Sequence, residues 1–584
     1  MDAEPPAKKP RLDGSHAEQV RAQRSAFLST LSRSVSPPRS RSSDASTLLT
    51  SDKDRTQKRL QPETNPPQDT TSSRTDGQTY LPNGVGFTAP GGTGRAIPSP
   101  FQLTRVRGLP AKDNIDAVSL HDILGDPLIK QAWIFNFCFD VNWTMQHFDA
   151  DVRHLVDVKV VHGSWRQEDG NRLGIEKDLK AWKNVQEIRA YLPDPFGTHH
   201  SKMIILFKYD DTAQVVIHTA NMLEKDWDHM TQAAWKSPVL PLMQRPGDKK
   251  QEVEKIGSGD RFKHDLLRYL NAYGSKLKPL CEQLLHHDFS AIRAALVASV
   301  PSYVKPSDPP DKRWGHLALA DALSAVESSR SSKSPPGEQR LVCQVSSIAT
   351  LPATWLTDTI VKAACTSVAR NISTSIIYPT PTDLRNALTG YATGGSIHTK
   401  IASAAQQKQV AALRPQLHRW GAQSSVSSTQ AGRHMIPPHI KTYICYSSKP
   451  TLQTPTPDID WVLVSSANLS TQAWGTAPRA PATGKRVKGP GEAVSHISSF
   501  EIGVLVWPEL FLDEPDGKAI ARMVPSFGKD TPDLHRIVEG SGDEVIVGMR
   551  MPYDLPLTPY GTTEMPWSPS ATYDEPDRLG QTWA

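Results

Sequence analysis

A histidine and a lysine, separated by one residue, occur in the same order in both halves of the 584-residue chain. In each half an asparagine follows the histidine, after 21 residues in the first half and after 29 in the second. The repeated residues are His200, Lys202, Asn221, His439, Lys441 and Asn468. Because alternate residues of an extended strand project to the same side, each histidine and its lysine can converge on one ligand.

This set of side chains suits a phosphate group. A lysine ammonium neutralises the non-bridging oxygens, an asparagine amide donates a hydrogen bond, and an imidazole attacks phosphorus or moves a proton. Two copies on opposite sides of one phosphorus meet the needs of an in-line displacement, with one histidine as nucleophile and the other as acid. A single H-x-K is usually a surface coincidence, so the signal is the repeat in both halves.

Short apolar runs rich in β-branched residues surround both sets and predict buried strands. In the first half these runs are residues 133–139, 156–161, 203–207 and 215–217. In the second half they are residues 375–378, 442–445, 461–465 and 502–507. A helix is predicted over residues 260–274, where apolar side chains share one face and a glycine ends the pattern. Strands that alternate with helices predict α/β domains, here two of similar size.

Composition divides the chain into three predicted parts. Residues 1–98 are rich in Ser, Thr, Pro, Arg and Gly, cannot bury enough apolar surface to offset their chain entropy, and are predicted to be disordered. The stretch 328–337 has the composition of a linker, so the predicted domains are 99–338 and 339–584. A loop is predicted over 479–495. The basic run Lys8 to Arg11 resembles a nuclear-import signal and predicts a nuclear location.

Charge and cysteine content exclude several classes of protein. The net charge of +5 and pI near 8.7 permit a polyanionic partner without requiring one. Five scattered cysteines indicate neither a disulfide framework nor a zinc site. No apolar run is long enough to cross a membrane, so no membrane partner is expected. Two lysines supply the positive charge that a metal ion would bring, so we expect neither metal nor cofactor.

The repeated residues resemble the phospholipase D superfamily, and the segments GTHHSKM, HTANML, PPHIKTY and SSANLSTQAWG resemble its tyrosyl-DNA phosphodiesterase branch. The resemblance extends from about Phe101 to Trp583. The wider superfamily has Asp five residues after each lysine, whereas Phe207 and Tyr446 stand there in this chain, as in the tyrosyl-DNA branch. The resemblance implies two similar α/β/α-layered domains related by pseudo-twofold symmetry.

The resemblance also implies roles for individual residues. His200 would attack the phosphorus of a 3′-phosphotyrosyl bond to form a covalent phosphohistidine. His439 would protonate the departing tyrosine oxygen and then deprotonate the water that releases a DNA 3′-phosphate. The lysines and asparagines would hold the phosphate oxygens. Glu501 would orient His200, and Gln232 would orient His439, because the group on the far ring nitrogen fixes the tautomer.

Four further residues are candidates for contact with substrate. Phe196 either stacks on a base of single-stranded DNA or belongs to the core. Ser396 resembles part of a family segment that lines the cleft. Lys400 either contacts a DNA phosphate or is an ordinary solvated lysine, and Ser466 would add a hydroxyl donor. The implied partners are single- or double-stranded DNA with 3′ adducts and a topoisomerase I peptide. A monomer suffices, since one chain carries both halves of the site.

Two other functions compete with this hypothesis. The first is a general phospholipase D-type nuclease or lipid hydrolase; the absence of both superfamily Asp residues and of an amphipathic membrane segment argues against the lipid version. The second is an inactive scaffold that binds DNA ends. A scaffold needs the lysines but has no use for the two histidines and the residues that orient them.

Overall fold

The computed structural model describes residues 87–88, 95–243, 255–329, 339–364, 372–421, 431–447, 457–477, 493–513, 520–533 and 544–584. Two large mixed β-sheets and the helices that cover them account for most of these residues. Within the described ranges, no helix combines the length and the apolar character that a bilayer span requires.

The first sheet contains eight strands from the N-terminal half. They are β3 (Phe101–Leu103), β4 (Ile129–Phe135), β5 (Asp157–His162), β6 (Val185–Arg189), β7 (Met203–Lys208), β8 (Thr212–His218), β9 (Ala233–Lys236) and β10 (Leu240–Pro241). The order is β3-β9-β8-β7-β4-β5-β6, and β10 pairs with β8. The β4-β5-β6 side is parallel, whereas β7, β8 and β9 run antiparallel to their neighbours.

The second sheet has twelve strands, most of them from the C-terminal half. They are β1 (Phe87–Thr88), β2 (Arg95–Ile97), β11 (Ala295–Ser299), β13 (Gln339–Gln344), β15 (Ile372–Ile377), β17 (Leu417–Arg419), β18 (Thr442–Tyr446), β19 (Ile459–Ser465), β21 (Glu501–Val506), β22 (Ile520–Ser526), β23 (Glu544–Arg550) and β24 (Thr558–Pro559). Two small two-stranded sheets pair β12 (Ser302–Val304) with β20 (Ser495–Ile497) and β14 (Ser347–Ile348) with β16 (His398–Thr399).

The two large sheets share one pairing scheme. Strands β13, β15 and β17 form a parallel side like that of β4, β5 and β6. Strands β18, β19 and β21 pair antiparallel in the order of β7, β8 and β9. Strand β11 pairs with β21 as β3 pairs with β9. The repeated motifs therefore lie at equivalent places in two equivalent sheets.

Helices cover both faces of the first sheet. The α-helices of the described residues, taken over both halves of the chain, are α1 (His121–Leu124), α2 (Val141–Met145), α3 (Gly170–Asp178), α4 (Glu224–Asp228), α5 (Gly259–Asn271), α6 (Lys278–Leu285), α7 (His316–Ser329), α8 (Lys362–Ala364), α9 (Pro381–Arg385), α10 (Ala404–Leu413) and α11 (Thr471–Trp474). Residues of β7 alternate between two cores: Ile204 and Leu206 face α1 to α4, while Ile205 and Phe207 face α5. Burial on both faces explains the continuous apolar run.

The predicted strands are confirmed at their positions in the sequence, but some of them begin or end at other residues than predicted. The run 133–139 overshoots β4, which ends at Phe135, because Asn136 and the residues after it leave the sheet. The predicted helix 260–274 is α5, and its N-cap is Ser258, whose hydroxyl accepts from the Arg261 N–H. Gly274 begins the 3₁₀ turn that follows, with φ of 73°.

The domain bounds predicted from composition, 99–338 and 339–584, are not tested by the structure and stay a prediction. Strands β1 and β2 fall in the last part of the arm predicted over 1–98, and the rest of that arm lies outside the described residues. Strand β11 precedes residue 338 yet belongs to the second sheet. The predicted linker 328–337 and loop 479–495 lie almost wholly outside the described residues.

Candidate active site

Both H-x-K segments are extended and enter the strands that follow them, β7 and β18. Each segment also pairs with the other half of the molecule. The His200 N–H donates to the Phe500 carbonyl (2.9 Å), and the His439 N–H donates to the Thr231 carbonyl (3.1 Å). Phe500 and Thr231 immediately precede Glu501 and Gln232, so this backbone pairing carries each orienting residue to the histidine of the opposite half.

His200 is held by a carboxylate from the second half. Its Nδ1 lies 3.0 Å from Oε2 of Glu501, which is buried. Because a carboxylate accepts a proton donor, Nδ1 carries the hydrogen and Nε2 is left with a free lone pair. The His200 side chain is 16% exposed. The site therefore presents an unprotonated and accessible ring nitrogen, which is the requirement for a nucleophile.

His439 is held by an amide and a carboxylate from the first half. Its Nδ1 lies 3.0 Å from Nε2 of Gln232 and 3.3 Å from Oδ2 of Asp226. The amide is the nearer of the two groups and its N–H donates to Nδ1, so the ring hydrogen of neutral His439 lies on Nε2. The two histidines thus have opposite tautomers.

A buried hydroxyl fixes each orienting residue in the same way. Thr219 accepts from the Ala233 N–H (3.0 Å) and donates to Oε1 of Gln232 (2.7 Å). Ser466 accepts from the Ile502 N–H (3.0 Å) and donates to Oε2 of Glu501. Neither Thr219 nor Ser466 was predicted to hold an orienting residue in place. Ser466 was predicted to contact phosphate directly, and that contact stays a prediction.

The two lysines differ in their contacts. Nζ of Lys202 donates to the His200 carbonyl (2.7 Å). Nζ of Lys441 lies 3.2 Å from both ring nitrogens of His439 and also contacts the carbonyl of that residue. Both lysines are fully buried. Burial lowers the pKa of Lys202 to about 8 and lowers that of Lys441 well below its ordinary value. An anionic ligand would favour the charged form of both lysines.

The two asparagines close the ends of β8 and β19, three residues beyond each strand. Oδ1 of Asn468 accepts from the Ser346 and Ser347 N–H groups (3.1 and 2.9 Å), which leaves its amide N–H groups for a ligand. Nδ2 of Asn221 instead donates one N–H to Asp226 (3.0 Å), which leaves its second N–H for a ligand.

Burial and nearby cations set the protonation of the histidines. Burial lowers the pKa of His200; the Glu501 carboxylate opposes that shift and Lys202 adds to it. Burial lowers the pKa of His439 well below its ordinary value, and Lys441 and Lys202 lower it further. A bound phosphodiester brings negative charge to the same lysines, so it makes protonation of His439 easier.

The predicted DNA-contact residues occupy different environments. Phe196 is 53% exposed, which excludes the core position. Ser396 ends the 3₁₀ helix Gly390–Ser396 and is half-buried, and Lys400 is exposed. His199, next to His200 in the chain, is buried and contacts the Asn136 carbonyl and the Tyr273 hydroxyl (3.0 and 2.9 Å).

Asp226 and Thr219 belong to the site and were missed in the sequence. Asp226 lies five residues after Asn221, and the equivalent residue of the second half is Ala473. The repeat that revealed the other residues therefore carried no signal for Asp226. Thr219 and Ser466 precede Ala-Asn in both halves, so the repeat could have indicated Thr219.

No group of three or more His, Cys, Asp or Glu side chains among the described residues could hold a metal ion. The absence of a cofactor stays a prediction.

Similarity to known proteins agrees with this geometry. Residues 100–561 match the family model described as tyrosyl-DNA phosphodiesterase. The chain belongs to the tyrosyl-DNA phosphodiesterase family. A probable tyrosyl-DNA phosphodiesterase of Schizosaccharomyces pombe is 30% identical over 540 residues, which cover 83% of this chain and 96% of the relative.

Other members of the tyrosyl-DNA phosphodiesterase family are more distant. Tyrosyl-DNA phosphodiesterase 1 of Arabidopsis thaliana is 28% identical over 83% of this chain and 77% of its own length. The crystal structure of the yeast tyrosyl-DNA phosphodiesterase matches 81% of this chain and 99% of its own, with a TM-score of 0.56 and 19% identity. That likeness supports the phospholipase D-like fold, and family membership makes the chain a DNA-repair phosphodiesterase.

Proposed function

We propose that the chain hydrolyses the 3′-phosphotyrosyl bond between DNA and a trapped topoisomerase I peptide, through a covalent phosphohistidine at His200. The observation that carries this proposal is the pair of opposite tautomers. Glu501 leaves a free lone pair on Nε2 of His200, whereas Gln232 leaves a hydrogen on Nε2 of His439. One cleft thus holds a nucleophile and a second ring that becomes the proton donor when it takes up a proton at Nδ1.

The reaction has two steps. In the first, Nε2 of His200 forms a bond to phosphorus as the phosphorus–oxygen bond to tyrosine breaks, and protonated His439 gives its Nε2 proton to the tyrosine oxygen. In the second, His439, which the first step leaves neutral with its hydrogen on Nδ1, takes a proton from water at Nε2, the water oxygen bonds to phosphorus, and the bond to His200 breaks. The product is a DNA 3′-phosphate. Lys202, Lys441 and the N–H groups of the two asparagines bind the non-bridging oxygens.

The substrate and setting follow from several features. The names of the relatives support a tyrosyl-DNA bond as substrate. Exposed Phe196, four residues before His200, can stack on a base near the 3′ end. The basic run Lys8 to Arg11 supports a nuclear location, and the presence of both half-sites in one chain supports a monomer.

A gel assay tests the proposal. A 5′-labelled single-stranded oligonucleotide with a 3′-phosphotyrosine is incubated in EDTA with wild type, His200→Ala or His154→Ala, an exposed histidine that serves as control. We expect wild type and His154→Ala to produce the 3′-phosphate and His200→Ala to produce none. A strict need for added divalent metal would overturn the mechanism.

The competing functions predict other results. An inactive DNA-end scaffold binds the oligonucleotide without converting it. A general phospholipase D-type nuclease cleaves internal phosphodiesters of an oligonucleotide that has no 3′ adduct. The two orienting residues favour the phosphodiesterase, since a scaffold does not need a fixed tautomer.

A further inference from the structure

The buried carboxylate of Asp226 contacts three groups of the site and has no counterpart in the second half. Its Oδ2 accepts from the backbone N–H and side-chain N–H of Asn221 (2.9 and 3.0 Å). The same oxygen lies 3.4 Å from Nε2 of Gln232 and 3.3 Å from Nδ1 of His439. Asp226 is completely buried, and its Oδ1 has no hydrogen-bond partner among the described residues.

Gln232 alone can serve only one protonation state of His439. Thr219 donates to Oε1 of Gln232, so the amide must present Nε2 to the imidazole. Nε2 of an amide donates and does not accept. It therefore suits neutral His439, whose Nδ1 is an acceptor. When His439 is an imidazolium, its Nδ1 carries a hydrogen that Gln232 cannot accept.

Asp226 supplies the missing acceptor. Its Oδ2 is close enough to Nδ1 of His439 to accept that hydrogen after a shift of a few tenths of an ångström. Hydrogen bonds between charged groups are short and strong, and in a buried site their contribution is larger. His200 needs no such second partner, because Glu501 accepts from its Nδ1 in either state.

We propose that Asp226 is a positioning residue that accepts a hydrogen bond from Nδ1 of His439 whenever that nitrogen carries a hydrogen, while Gln232 orients the resting neutral ring, whose hydrogen is on Nε2. The proposal rests on the proposed function, since it concerns the step in which His439 is the acid. Without Asp226 the acid form of His439 is unpaired at Nδ1. Proton transfer to the leaving group is then the step that is lost.

Asp226→Asn tests this role, because it keeps the shape and one acceptor oxygen but removes the negative charge. Two oligonucleotides are compared, one with a 3′-phosphotyrosine and one with a 3′-phosphate ester of p-nitrophenol, which leaves without a proton. General acid catalysis contributes typically ~10²–10⁴-fold. We expect formation of the phosphohistidine from the tyrosine substrate to slow by at least about tenfold relative to the nitrophenyl substrate.

Asp460→Asn is the matched control. Asp460 is also buried, lies at the start of β19 and contacts Gln339, away from Asn468 at the other end of that strand. We expect its ratio of the two rates to equal that of wild type. An unchanged ratio in Asp226→Asn, or an equal fall of both rates together with a lower Tm, would overturn the proposal, because a merely structural role affects both substrates alike.

If Asp226→Asn does not fold, the structure of a complex of the wild-type protein tests the proposal instead. Orthovanadate is bound with a tyrosyl peptide and a short oligonucleotide. We expect Nδ1 of His439 to move to about 2.7–2.9 Å from Oδ2 of Asp226, the usual distance of a charge-assisted hydrogen bond. A longer separation, with Nδ1 still on Gln232, would contradict it. Failure of the proposed function is distinct: wild type would then leave the 3′-phosphotyrosine substrate unconverted.

Discussion

At the residue scale, His200 and His439 differ in what faces Nδ1 of each ring. Glu501 accepts from His200, so the lone pair of its Nε2 is available for attack. Gln232 donates to His439, so its Nε2 carries a hydrogen. Two chemically identical side chains thus take opposite roles because their neighbours set opposite tautomers.

His439→Ala separates the two steps of the reaction. A nitrophenyl leaving group departs without a proton, so the phosphohistidine forms, but no base then activates water. We expect 5′-labelled oligonucleotide to remain attached to the protein on a denaturing gel. The double variant His200→Ala/His439→Ala should retain no label. An inactive His439→Ala protein without any adduct would contradict the assigned order of events.

At the element scale, two short parallel contacts hold each histidine segment against the opposite half. Phe500 N–H donates to the Thr198 carbonyl (2.9 Å), and the His200 N–H donates back to Phe500. Thr231 makes the equivalent pair of contacts with Pro437 and His439. Because Glu501 follows Phe500, any shift of this contact also moves the carboxylate away from His200.

Gly197→Ala tests this contact. An added Cβ would lie 2.0 Å from the Ser498 carbonyl oxygen, so the loop before His200 must move away from Phe500. A displacement near 1 Å costs on the order of 10²-fold in rate. We expect kcat on the phosphotyrosyl oligonucleotide to fall at least about tenfold, measured at saturating substrate.

Gly174→Ala is the control for Gly197→Ala. Gly174 lies within α3, and an added Cβ there meets nothing within 4 Å. We expect its kcat to be unchanged and its free energy of unfolding to rise by up to about 1 kcal/mol, since Ala favours helix more than Gly does. Equal kcat values for the two variants would show that the contact with Ser498 does not position His200.

At the scale of the whole molecule, buried histidines make stability depend on pH. Burial lowers the pKa of His199 and of His218 to about 3. In the unfolded chain a histidine takes up a proton near pH ~6.5. Between these values the unfolded state binds more protons, so the free energy of unfolding falls as the pH falls. Each such histidine accounts for about 1.4 kcal/mol per pH unit in that range.

His218→Leu should flatten this dependence. The ring of His218 is buried and packs on Trp227, so the change removes an ionisable group from the interior and puts an apolar side chain in its place. We expect a smaller fall of Tm between about pH 7.5 and about pH 5.5 than in wild type. The control His154→Gln, at an exposed histidine, should match wild type. Equal slopes for His218→Leu and wild type would refute the explanation.

Local spacing in the sequence determined the reactive groups of this protein. The H-x-K pairs and their asparagines are repeated, and the alternation of an extended segment decides which side chains share a side. Continuous apolar runs predicted the positions of β7, β8, β18 and β19, because a strand buried on both faces needs apolar side chains on both. The resemblance, not the spacing, supplied Gln232 and Glu501, and the bounds of β4 and α5 depended on packing beyond the run itself.

Only the tertiary structure decided the partners of each ring. His200 meets Glu501 across 301 residues of chain, and His439 meets Gln232 across 207. Such contacts depend on how two sheets pack, which no local periodicity specifies. Asp226 is the clearest case, because the second half has Ala473 at that position and the repeat gave no indication of it. The sequence thus determined which chemistry is present, and the packing of the two halves decided which histidine performs each part of it.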